Sequence, residues 1–107
     1  DIASFGSIRD RAHFLSFGEF GAQFASGAQK APHLGEPDIR KSDPGSAPMF
    51  QALVGMDDYC TPHNETSTGV AVTPQRVAGA DPESLMVIDA PAGAGGLHVD
   101  ITECDTY

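Results

Sequence analysis

The chain has 107 residues, enough for one modest core and too few for two independent ones. Its formal charge is -9, and the excess falls after residue 41, where Arg76 is the single base among ten carboxylates. Such a surface repels phosphate backbones, so nucleic acid is excluded as an expected partner, and no run approaches the roughly 20 apolar residues that span a bilayer. A start at Asp1 rather than Met, without a basic and then apolar leader, fits a processed mature form.

Residues 1–28 carry five of the six phenylalanines, Phe5, Phe14, Phe17, Phe20 and Phe24. Phe17, Phe20 and Phe24 follow the i, i+3, i+7 spacing, while Phe5, Ile8 and Ala12 open a similar face. Ser16 with Glu19 three positions on matches a capping box, so the spacing predicts two short helices, about 5–14 and 17–26. Gly18 and Gly21 would each cost the second helix roughly 1 kcal/mol relative to Ala, which close packing against a sheet would explain. The phenylalanine stripe reads as a core face.

Residues 29–48 hold Pro32, Pro37, Pro44 and Pro48 with Gly35 and Gly45, which predicts a long connecting loop and a candidate contact surface. Residues 49–56 are a short apolar run that periodicity leaves open between strand and helix. Strands are predicted over 69–73, stopped by Pro74, over 84–89, and over 97–104, where Leu97, Val99 and Ile101 alternate with His98, Asp100 and Thr102. The glycine-rich run 91–96 precedes a predicted strand and has no base nearby, so it reads as a hairpin connection and not a phosphate loop. The expected fold class is α+β, with two short N-terminal helices packed on a small C-terminal antiparallel sheet. One domain covers 1–107: a helical segment 1–28, a loop 29–48 and a mainly β part 49–107.

Chemistry-bearing residues concentrate in 57–69, where a thiol, an imidazole, three carboxylates and a sequon meet. Cys60 and Cys104, 44 positions apart, are the even number that one disulfide needs. Such a bridge would contribute about 4 kcal/mol by restricting the unfolded chain; the alternative is two buried, reduced thiols. Asn64-Glu65-Thr66 makes Asn64 a candidate N-glycosylation acceptor. Asp57, Asp58 and Glu65, or Asp81 with Glu83, offer oxygen ligands without EF-hand spacing. His13, His33, His63 and His98 form no H-x-x-x-H pair, and no G-x-S-x-G elbow is present.

Tyr59-Cys60-Thr61-Pro62-His63 resembles the ligand loop of the cupredoxins, the blue-copper electron carriers. A tight loop closed by Pro lets a thiolate and an imidazole converge on one ion. The resemblance implies copper at Cys60 and His63 with His13 as the upstream ligand, and it covers five contiguous residues. Thr68 stands where that family places its axial Met. A disulfide at Cys60 and a copper thiolate at Cys60 exclude each other.

The sequence therefore points to a small, acidic, non-catalytic binding or structural subunit, extracytoplasmic or secreted, without cofactor. Its expected partner is another protein or subunit of a larger assembly, met through the acidic half and the proline-rich loop. The alternative is a small copper electron-transfer protein.

Overall fold

In the computed structural model, which describes residues 6–43, 45–53 and 55–107, Ala12–Ser16 is a strand, β1, buried at every position. Phe5, where the first predicted helix begins, lies outside the described residues, as do Pro44 and Val54. The remaining elements are α1 (Glu19–Gln29), β2 (Asp38–Lys41), β3 (Asp58–Pro62), β4 (Asn64–Glu65), β5 (Val70–Ala71), β6 (Leu85–Asp89) and a 3₁₀ turn (Ile101–Glu103).

The four longer strands form one sheet in the order β2-β1-β3-β6, and every pairing is parallel. β4 and β5 make a separate, two-residue antiparallel pair. This overturns the α+β expectation: among the described residues there is one α-helix, not two, and the main sheet is parallel, so the class is α/β. The physical reason lies in β1. A strand buried on both faces of a parallel sheet carries apolar residues on both, so Ala-His-Phe-Leu-Ser shows no period-2 alternation, and Ala12 falls by chance on the helical spacing of Phe5 and Ile8.

Register assigns the faces. Phe14 lies opposite Cys60 and Cys60 opposite Val87, and these three side chains share a cluster with Ala25 and Ala28 of α1. Phe24 closes it, edge-on to Phe14 with ring centroids 5.2 Å apart. Tyr59, Met86 and Ile88 point to the other face, where Met56, Phe50, Leu53 and Cys104 cover them. The proline-rich segment is thus not a bare surface loop: β2 runs within it, and its continuation supplies Phe50 and Leu53 to the second core.

Other sequence expectations also change. Residues 97–104 are irregular chain and a 3₁₀ segment rather than a strand; Ile101 is 69% exposed, so its alternation serves no core. The glycine run 91–96 joins β6 to a segment that returns in parallel, bridging Val87 to Thr106, and not to an antiparallel partner. At the amino end of the sheet Asp57 accepts the N–H groups of Arg9, Asp10 and Arg11 at 3.1, 2.6 and 3.2 Å, fastening the entry to β1.

Candidate functional site

The chain runs from β1 out to β2 and then returns to β3 on the far side of β1. Between β1 and β3 the winding reverses, and in open parallel sheets the crevice outside the carboxyl ends at such a point is where ligands bind. Three segments meet there: residues 17–21 leading into α1, residues 63–68 after β3, and Asp89 with its following turn after β6.

Asp89 is the last residue of β6, half-buried, and its carbonyl accepts the His63 N–H at 2.9 Å. Burial raises its carboxyl above the ordinary aspartate range, and the like charge of Glu65 adds to that. It lines a cleft of about 330 Å³ between α1 and β6, with Phe20, Gln23, Phe24 and Val87. Asn64 and His63 stand beside it. The Asn64 Oδ1 atom is buried without a hydrogen-bond partner, and His63 Nδ1 lies 2.9 Å from the Tyr107 hydroxyl. A β-carbon at Gly93 would meet His63 Nδ1 at 2.9 Å and Asn64 Oδ1 at 3.0 Å, so only glycine lets the turn after β6 approach so closely.

Glu65 is fully buried. Its carboxylate accepts the Phe20 N–H at 3.2 Å, the Gly21 N–H, and the Ser67 hydroxyl at 3.2 Å; Ser67 Oγ in turn accepts the Glu19 N–H at 3.1 Å. The capping box expected from Ser16 and Glu19 is absent: Ser16 belongs to β1, and the helix N-cap is Gly18, which has no side chain to offer. Glu65 was not legible as that cap, because its partners lie 44 and 45 positions upstream.

The residues singled out in sequence are placed differently from expectation. Cys60 and Cys104 are unbonded and belong to cores on opposite faces, so the disulfide is overturned. Burial pushes the Cys60 thiol well above its usual range, and the nearby Asp58 adds to this. Asn64 sits in β4 with its side-chain oxygen enclosed, a poor position for a glycan acceptor. The copper set does not converge either. His13 pairs in register with Tyr59 and meets its ring on the second face, whereas Cys60 points into the α1 face. Burial lowers the His13 pKa against the opposing pull of Asp38, whose carboxylate is 3.0 Å from Nδ1. Among the described residues no group of three His, Cys, Asp or Glu side chains could hold a metal ion, and no helix is long and apolar enough to cross a membrane.

The parallel sheet with its helix defines an α/β layer whose carboxyl edge gathers the helix start, the 63–68 strap and the acidic end of β6. Comparison with known proteins gives that class particular relatives. No family model matches the chain. Over its whole length, however, it is 51% identical to a putative phosphoserine aminotransferase of Mycobacterium sp. (strain KMS), 47% identical to a phosphoserine aminotransferase of Nocardioides sp., and 49% identical to a putative phosphoserine aminotransferase of Mycobacterium leprae. It spans 28–29% of the length of these relatives. These names overturn the expectation of a non-catalytic subunit: the chain is similar throughout to stretches of proteins named as enzymes. With the disulfide gone and the relatives named as aminotransferases, the secreted, glycosylated, extracytoplasmic reading is withdrawn as well.

Proposed function

We propose that this chain is a segment of a phosphoserine-type aminotransferase and forms one wall of its cofactor pocket, at the carboxyl ends of β1, β3 and β6. The observation that carries the reading is the 47–51% identity, over the entire chain, to proteins of that name. The geometry of the carboxyl edge supports it.

Amino transfer relies on pyridoxal phosphate, which supplies an electron sink when bound; proteins hold it through a lysine and place an acidic or basic group at its ring nitrogen. Asp89 fits the acidic role. It ends β6, the strand beside β3, and lines the cleft between that strand and α1. There its carboxylate would accept the ring N–H and hold that proton in place; the nearby positive charge would relieve the penalty that burial imposes on the ionised form. The buried, unpartnered Oδ1 of Asn64, close to the Gly93 turn that follows β6, offers a second acceptor. His63 is held beside it by the Tyr107 hydroxyl and ring. The lysine would come from elsewhere in the longer protein: Lys30 is exposed at the end of α1, and Lys41 ends β2, three strand spacings or about 14 Å across the sheet from Asp89.

The test uses the full-length protein. It should transfer the amino group of phosphoserine to a 2-oxo acid, the donor becoming a 2-oxo acid in turn, and Asp89→Asn should lower kcat by about 100-fold or more. A full-length protein that transfers no amino group would overturn the proposal.

A further inference from the structure

Of the described carboxylates only Asp58 and Glu65 are fully buried, and Glu65 is the one at the carboxyl edge. Burying a carboxylate is unfavourable unless its lone pairs are well used, and here they are. Directly or through Ser67, Glu65 serves three successive N–H groups of the first turn of α1, those of Glu19, Phe20 and Gly21. The backbone is shaped to admit it. A β-carbon at Gly18 would stand 2.5 Å from the Glu65 carboxyl carbon, and one at Gly21 would stand 3.1 Å from Oε1.

A side chain at the N-cap position could satisfy these N–H groups locally. Reaching them from β4 does something a local cap cannot: it ties residues 63–68 to the start of α1 across the gap between β1 and β3. A second tie supports the first, as Thr68 Oγ1 donates to the Phe17 carbonyl at 2.9 Å. The anion seat that a helix start would otherwise offer a phosphate is thereby filled from within.

We propose that Glu65 is a positioning residue: its carboxylate docks the 63–68 strap on the first turn of α1 and so fixes His63 and Asn64 beside Asp89. Its consequence for the cofactor rests on the aminotransferase reading; the docking itself does not.

In the full-length protein, Glu65→Ala and the isosteric Glu65→Gln are compared with wild type by hydrogen exchange read by mass spectrometry, and by the Kd for pyridoxal phosphate. Docking through the carboxylate predicts about tenfold or faster exchange at residues 18–22 and 63–68 in both variants, and a Kd raised about tenfold. Added formate should return both values toward wild type in Glu65→Ala, because a free carboxylate fits the same seat. Glu65→Gln should not respond, since its amide fills the seat and turns a donor toward the N–H groups. Unchanged exchange in both variants overturns the proposal, and so does faster exchange that formate leaves as it is. An unchanged Kd in variants with formate-reversible exchange overturns the positioning role. A wild-type protein that takes up no pyridoxal phosphate removes the aminotransferase reading instead, while formate-reversible exchange would still uphold the docking.

Discussion

A β-carbon at Gly18 would lie within 2.5 Å of both Cδ and Oε2 of Glu65, and the Gly18 φ of 177° is extended backbone that any residue adopts, so the demand for glycine there is one of space. Gly18→Ala should destabilise the full-length protein by about 1–3 kcal/mol, the usual range for overpacking, read as a lower denaturant midpoint at unchanged m-value. Asp58 makes a different prediction. Burial raises its carboxyl above the ordinary 3.8, against the opposing hydrogen bond from Ser7 and with the like charge of Asp57 adding to the rise. The folded state then holds the Asp58 proton more tightly than the unfolded chain does. Its contribution to stability is present below the unfolded value and is lost as pH rises through the raised one. Asp58→Asn should therefore melt higher than wild type near pH 7, with the difference shrinking as pH falls through the raised value and gone below the ordinary one; a Tm series against pH checks it. Cys60, buried and with a raised thiol pKa, should resist iodoacetamide in the native protein, and both Cys60 and Cys104 should label fully once it is unfolded. A labelling deficit of two thiols in denaturant without reductant would restore the disulfide.

Among the elements, β6 was plain in the sequence because Leu85–Asp89 is a short apolar run bounded by turn residues. α1 was legible as a helix, although its predicted start was two residues early: Phe17 precedes it, and Phe20, expected in the core, is 43% exposed. β1 and β3 were not legible. β1 carries apolar side chains to both faces, and β3 reads Asp-Tyr-Cys-Thr-Pro, a polar string whose burial comes entirely from neighbouring strands and not from its own pattern. The candidate site was half visible for the same reason. Residues 57–69 drew attention by their density of functional groups, but Asp89 resembled an ordinary strand end, and no local pattern links Glu65 to Phe20 or Gly21. Because β1 and α1 meet through Phe14 and Phe24, Phe14→Ala should cost about 3–5 kcal/mol in equilibrium unfolding. A much smaller loss would mean that α1 is held by the Glu65 tie more than by its apolar face.

Across the whole molecule, charge and topology divide the work differently from the way composition implied. Carboxylates after residue 41 stand at both ends of the sheet, with Asp57 and Asp58 at the amino end and Glu65 and Asp89 at the other, and Asp58 and Glu65 are buried. Arg76, the lone base of that half, is engaged by Asp105 and by the Thr102 and Cys104 carbonyls, tying the segment after β5 to the strand-like residues beside β6. The parallel sheet also sets an order of events during synthesis. Ala12 must wait for Asp58, its partner in β3, to be made. At roughly 5–20 residues per second the interval is roughly 2–9 s, during which the central strand of the sheet has at most β2 for a neighbour and keeps one edge open. On the ribosome, Ala-His-Phe-Leu-Ser is therefore a buried-strand sequence whose second edge stays unpaired until β3 is made.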